Sequence, residues 1–288
     1  VQDTEGRGAI QSMKRSIVWL ASYPKSGNTW MRVFLANYLF NTQEPLSINE
    51  VRRLGTGDSI AAAYHRVAGR RLDLNRVAHV LKFRHPVLRA IVANNADINF
   101  VKTHNARVTA YEVELIPERF TRASIYIMRN PLDMVLSYAR HYGMSHEDAV
   151  GRITHPDNAN LPTEISVADF LGTWDGHVRS WVKYAPWPQL VLRYEDILDD
   201  PETQFSRALD HIGVPVDPER LRRAIRFSSF EELSRQEEES GFIEKPKESK
   251  KFFGKGRKDQ WKTDLDPALA DIIRDKLGAT MKRYGYLE

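Results

Sequence analysis

The apolar positions of this chain follow two rhythms in alternation. Short continuous runs rich in β-formers recur at Ser16-Ile17-Val18-Trp19-Leu20-Ala21-Ser22, Asn99-Phe100-Val101-Lys102-Thr103, Ser124-Ile125-Tyr126-Ile127-Met128-Arg129 and Gln189-Leu190-Val191-Leu192-Arg193-Tyr194. Runs this short and this apolar predict strands buried on both faces, as in a parallel sheet. Between them the spacing changes to threes and fours. Trp30, Val33, Phe34, Tyr38 and Leu39 predict a helix from Thr29 to Phe40. Asn130-Pro131 opens a second helix, with Pro131 in its first turn, running to about His141 and stopping at Gly143. A third runs from Pro201 to about Ile212, closed by Gly213, and a last one from Pro267 to Arg283. Short β-runs alternating with helices predict an α/β fold: a central, mostly parallel sheet flanked by helices.

In such sheets ligands bind beyond the carboxyl ends of the strands. Three features fall there: the loop after the first strand, His104 after the second and Arg129 at the end of the third. Two stretches lack a clear period. Residues 144–166 mix His, Pro, Asn and Asp, and residues 235–251 mix Glu and Lys around Gly241 and Pro246. The charge run reads as a solvated loop, with a mobile lid over the site as the alternative. No internal repeat is present.

Composition narrows the classes. With 288 residues and 42% apolar content, residues 13–288 are expected to form one domain. Residues 1–12 are polar and read as a flexible arm, or as an expression remnant ahead of a native start at Met13. The absence of cysteine excludes disulfides, thiolate chemistry and cysteine-type zinc sites, and fits a reducing, cytoplasmic compartment. A net charge of +4 suits an anionic ligand in a local pocket. It is too weak to imply nucleic acid, and the basic residues are not clustered with interleaved aromatics. The longest early apolar run, Ile17 to Ala21, is far shorter than the roughly 20 residues of a membrane span, so none is expected. The nine histidines show no metal-ligand spacing, and no metal is expected.

The loop Tyr23-Pro24-Lys25-Ser26-Gly27-Asn28-Thr29-Trp30 joins a strand to a helix N-terminus. That arrangement points backbone N–H groups and the positive end of the helix dipole at an anion. Lys25 adds charge, Ser26 and Thr29 add hydroxyls, and Gly27 lets the backbone come close. It is not a Walker A loop, because the lysine precedes the single glycine.

The loop closely resembles the 5′-phosphosulfate loop of the cytosolic-type sulfotransferases, from which only Asn28 departs. The resemblance extends in motif order from about residue 16 to residue 285. It implies the P-loop-like sulfotransferase fold and a nucleotide donor, PAPS, with PAP as product. It further implies that Lys25, Ser26, Gly27, Asn28 and Thr29 cradle the phosphosulfate, with Asn28 still able to donate a hydrogen bond, and that Trp30 lies against the adenine. The segment Arg129-Asn130-Pro131 through Ser137 resembles the family's 3′-phosphate segment, which assigns that phosphate to Arg129 and Ser137. Phe227-Ser228-Ser229-Phe230 resembles a purine-holding segment, assigning contacts to Ser228 and Phe230, and Tyr194 matches a nucleotide-contacting tyrosine. Phe253-Gly254-Lys255-Gly256-Arg257 resembles the arginine-lysine-glycine segment. Lys255 and Gly256 match it, but Gly254 stands where the arginine is usual, and Arg257 is expected to take over that cation's place. Lys102-Thr103-His104 resembles the segment carrying the catalytic base, which assigns the base to His104. Lys25 and Lys102 would stabilise charge, and Ser137 would restrain Lys25 until acceptor binds.

The expected reaction is sulfuryl transfer to a hydroxyl of a small-molecule or natural-product acceptor. A P-loop kinase and a non-catalytic nucleotide-binding relative are the alternatives. Residues 41–98 and 140–170 are expected to shape the acceptor pocket, with Tyr64, His65, Phe83, His85 and Tyr142 as candidates and ordinary packing as the other reading of each. Oligomeric state has no legible signal.

Overall fold

The computed structural model describes residues 16–94, 96–246, 249, 251–254 and 256–288; the arm at residues 1–12 and Lys255 lie outside these. Five strands form the central sheet: β1 (Ile17–Ser22), β2 (Gly55–Gly57), β3 (Asn99–Thr103), β4 (Thr121–Met128) and β5 (Gln189–Arg193). Their spatial order is β2-β3-β1-β4-β5, and every pairing is parallel. The four predicted strands are all present. β2 was not legible because Gly55-Thr56-Gly57 has no apolar run. It is glycine that fits there, since a Cβ at Gly55 would collide with the Phe100 backbone of β3.

β1 lies at the centre with all six residues buried. Its side chains alternate between two cores, as the period of a strand demands. Ile17, Trp19 and Ala21 join one cluster, with Tyr126, Met128 and Trp181. Val18 and Leu20 join the other, with Phe34, Ile125 and Phe205. Helices cover both faces: α1 (Asn28–Phe40), α2 (Pro131–Tyr142), α3 (His146–Ile153), α4 (Trp174–Val182), α5 (Pro201–His211), α6 (Pro218–Phe227), α7 (Phe230–Ser240) and α8 (Pro267–Arg283). α2 follows its local signals. Asn130 caps it by accepting from the Leu132 N–H at 3.0 Å, Pro131 occupies the first turn, and Gly143 ends it at φ 63°.

Two stretches differ from expectation. Residues 144–166 contain α3, capped by Ser145, whose three buried residues Ala149, Val150 and Ile153 span too little chain to show a period. Of the stretch 235–251, the described residues are not simply a solvated loop: Gln236, Glu237, Phe242 and Ser249 are buried. Residues 235–240 complete α7, and buried Glu237 accepts from the Phe252 and Phe253 N–H groups at 2.6 and 2.8 Å, pinning the segment inward. Among the described residues, no helix is long and apolar enough to cross a membrane.

Candidate active site

β3 and β4 leave opposite sides of β1, so the chain reverses its direction of travel at the centre of the sheet. The crevice this makes at the carboxyl ends is where an α/β fold places ligands. A cavity of about 550 Å³ opens there.

The loop after β1 forms its floor. Lys25 has φ 67°, a conformation that costs a non-glycine residue energy and marks functional backbone. Gly27 has φ 103°, and a Cβ there would sit 2.8 Å from Tyr194 Cδ2, so only glycine fits. The N–H groups of Asn28, Thr29 and Trp30 begin α1 and have no intrahelical acceptor. Ser26 Oγ is buried without a partner. Asn28 departs from the sequence reading: its side-chain amide donates to the Leu20 carbonyl at 2.8 Å, bracing the loop on β1. Its backbone N–H, at the start of α1, and the second hydrogen of the amide remain as donors.

Cations ring this floor. Arg129, 7% exposed, donates from Nη1 to the Lys25 carbonyl at 3.2 Å and lies 4.5 Å from the Tyr194 ring centroid. Ser137 faces the same cavity from α2, and Arg140 follows it one turn later. A Cβ at Gly254 would lie 3.1 Å from Arg140 Nη2, so the glycine gives the guanidinium its place. Burial and the neighbouring Arg129 push the Arg140 guanidinium down. Burial, then Arg129 and Lys102, push Lys25 down to about 7. Its Nζ sits 3.7 Å from the Phe252 ring centroid. Arg257 does not take the expected place. It is exposed and off the cavity wall, and its carbonyl accepts from Gln260 Nε2 at 2.8 Å. Lys255 lies outside the described residues.

Aromatic rings enclose the end of the cavity beyond α1. Trp30 lies 5.7 Å from Tyr194 and 5.3 Å from Phe230, centroid to centroid, and Trp30 Nε1 is buried without a partner. Gly256 lies against Phe230, where a side chain would clash. Ser228 is a second departure. It is fully buried and donates to the Ala224 carbonyl at 2.9 Å, so its hydroxyl closes α6 and does not face the cavity.

His104 stands at the end of β3 beside the loop of β1, where Ala21 pairs with Thr103. Its Nδ1 lies 2.9 Å from the Ser22 carbonyl. A carbonyl only accepts, so Nδ1 carries the hydrogen and Nε2 keeps its lone pair. Burial, then Lys102, push the imidazole down to about 3, which keeps it neutral. Lys102 Nζ is 3.2 Å from Glu244, which also takes Arg32 in two bonds of 2.9 and 2.8 Å. Burial raises the Glu244 carboxyl, but Lys102 and Arg32 together outweigh it and hold the group well below its usual range.

The remaining wall comes from residues 140–170, as expected: His141, Tyr142, Arg152, Asn160, Thr163 and Asp169 among others. No described residue of 41–98 lines it, and of the five aromatic and histidine candidates only Tyr142 does. Tyr64 packs in a separate cluster with Leu72, Val80 and Val87. Behind the wall, Asp58 accepts from Arg84 Nη2 at 2.7 Å, Thr103 Oγ1 at 2.7 Å and Asn105 Nδ2 at 3.1 Å, with Arg84 and Asp58 both almost fully buried.

Residues 15–285 match the sulfotransferase domain family. This chain belongs to the sulfotransferase family. This sulfotransferase is 25% identical to cytosolic sulfotransferase 12 of Arabidopsis thaliana over 276 residues, covering 90% of this chain and 76% of that one. It is 24% identical to flavonol 3-sulfotransferase of Flaveria bidentis, covering 91% and 82%. In fold it is similar to retinol dehydratase solved with retinol and PAP, at a TM-score of 0.63 and 18% identity, covering 93% and 82%. A mouse sulfotransferase solved with PAP gives 0.59 and 18% identity, covering 95% and 89%.

Sequence reasoning missed Arg140, Glu244, Arg32 and Asp169. The signal for Glu244 lay inside the charged stretch, and for Arg140 in its three-residue offset from Ser137, which puts both on one helix face. Asp169 and Arg32 carried no signal beyond residue type.

Proposed function

We propose that this sulfotransferase moves a sulfuryl group from PAPS to a hydroxyl of a small-molecule acceptor, with His104 as general base. The observation that carries the reading is the juxtaposition on adjacent strands of a neutral imidazole with Nε2 free and an anion cradle with unspent donors. Ser26 Oγ and the free N–H groups of α1 suit the 5′-phosphosulfate, and the unpartnered Trp30 Nε1 lies among rings suited to a purine. Arg129, Ser137 and Arg140 hold the 3′-phosphate, with Arg140 in the role expected of Arg257.

His104 Nε2 takes the acceptor proton as the acceptor oxygen bonds to sulfur and the sulfur–phosphate oxygen bond breaks. The Ser22 carbonyl holds the ring in the accepting tautomer and favours its protonated form. Lys25 and the α1 N–H groups neutralise the departing phosphate. Lys102, fixed on the wall by Glu244, serves the sulfuryl oxygens, and Ser137 restrains Lys25. A chain without cysteine needs no oxidising compartment, and we place the reaction in the cytoplasm.

Incubation with ³⁵S-labelled PAPS and a panel of alcohols, phenols and sugars tests the reading. Label should pass to an acceptor, EDTA should leave transfer intact, and Lys25→Ala should abolish it. Transfer from ATP that EDTA stops would instead make the protein a kinase, and PAP binding without transfer would make it a binding relative.

A further inference from the structure

The acceptor wall is polar in a particular way. Asp169 and Asn160 sit side by side on a short antiparallel pair of strands, Ala159–Asn160 and Asp169–Phe170. Asn160 Nδ2 is 3.3 Å from Asp169 Oδ2, and the Tyr142 hydroxyl donates to Asn160 Oδ1 at 2.9 Å. The other Asp169 oxygen accepts from Ser59 and, at 3.4 Å, from Asn105 Nδ2. Both side chains are thus held in fixed orientation and face the cavity that contains His104. Neither is fully used. Asp169 Oδ2 keeps accepting capacity, Asn160 keeps one N–H, and among the described residues no lysine or arginine lies within ion-pair distance of Asp169.

We infer that the acceptor is a neutral, hydroxyl-rich molecule of the sugar or cyclitol class, bound through adjacent hydroxyls by Asp169 and Asn160. This rests on the transferase reading and names its acceptor. A carboxylate oxygen beside an amide N–H matches two neighbouring hydroxyls, one donating and one accepting. Thr163 and Ser166 lie on the same wall with their hydroxyls paired to each other at 2.8 Å, and Tyr142 lines it too. A flat apolar phenol would desolvate Asp169 and Asn160 without replacing their water. That costs about tenfold to a hundredfold in affinity for each group left unpaired, and a site built around substrate hydroxyls rejects analogues that lack them. An ammonium acceptor is disfavoured because Lys102 and Arg152 share the wall, so Asp169 and Glu244 leave it no net negative charge.

The test is saturation-transfer NMR on the PAP-bound protein with four probes: methyl α-D-glucopyranoside, myo-inositol, 2-naphthol and benzylamine. We expect signals from the glucoside and the inositol, and a loss of about tenfold or more in affinity for both in Asp169→Ala and Asn160→Ala. PAP affinity should be unchanged in each variant, which also certifies the fold; if Asp169→Ala fails to fold, Asn160→Ala decides alone. Signal from 2-naphthol or benzylamine in preference to both polyols overturns the inference, as does polyol signal that neither substitution reduces, or no polyol signal at all. Failure of the transferase reading looks different, because PAP itself would then not bind or Lys25→Ala would leave its affinity intact.

Discussion

Arg140 offers the most exacting check on the donor site. It lies one turn beyond Ser137, against Gly254, and shares the cavity with Arg129. Replacing Arg140 with Ala removes one guanidinium from the proposed 3′-phosphate subsite. A hydrogen bond to a charged group contributes about 1.5–3 kcal/mol, and Arg140 is open to solvent on one side, so the lower half of that range applies. About 1.5–2 kcal/mol corresponds to a roughly 10- to 30-fold weaker PAP complex. Arg129→Ala should cost more, because Arg129 is buried and its bond to the Lys25 carbonyl also steadies the loop. The assay is isothermal titration with PAP and, in parallel, adenosine 5′-phosphate, which lacks the 3′-phosphate. Arg140→Ala should weaken only PAP. Gly254→Arg alone should also weaken PAP, since its side chain starts 3.1 Å from Arg140 Nη2 and brings a like charge. The double substitution Arg140→Ala with Gly254→Arg should restore affinity by supplying the guanidinium from the other wall. An Arg140→Ala protein that binds PAP as tightly as the parent, while Arg257→Ala weakens it, would refute the reasoning and return the role to Arg257.

His104→Ala should lower turnover by about 10²–10⁴, the usual contribution of a placed base, while PAP affinity stays within about twofold; equal losses in both would make His104 structural. Lys25 sits at about 7 in the free protein, and a bound anion favours its charged form. PAP binding should therefore take up a proton above pH 7 and weaken as pH rises; titrations at pH 8 in buffers of different ionisation enthalpy should show uptake that Lys25→Arg removes. The His104 imidazole is held near 3 in the free protein, and the donor's negative charge raises it, so the acidic limb of kcat/KM for acceptor should lie above pH 3. A limb unchanged by His104→Ala belongs to another group. Asp58→Ala leaves the Arg84 guanidinium buried and unpaired, and should destabilise the fold by about 3–5 kcal/mol, read as a fall in denaturation midpoint.

Local chemistry determined much of this protein. The apolar runs of β1, β3, β4 and β5 are visible residue by residue, and the Asn130-Pro131 start, the Gly143 stop and the bounds of α8 each arise from side chains within a turn of where they act. The loop from Tyr23 to Trp30 is equally local: positive φ at Gly27 and free N–H groups at α1 need no partner from elsewhere in the chain. His104 and Arg129 were legible because parallel strands all end at one rim, and each strand carries its last residue and its next one there. Direction of side chains was not. Ser228 has the right residue type, yet its hydroxyl turns back to the Ala224 carbonyl, and Asn28 spends one amide hydrogen on the Leu20 carbonyl. Arg257 has the charge expected of the missing arginine, yet it faces solvent. The partnerships that shape the site join residues far apart in sequence: Glu244 with Arg32 and Lys102, Asp169 with Ser59 and Asn105, Arg140 with Gly254. A periodic pattern says which face of an element is buried, but only the packed sheet decides which distant charge meets it across the cavity.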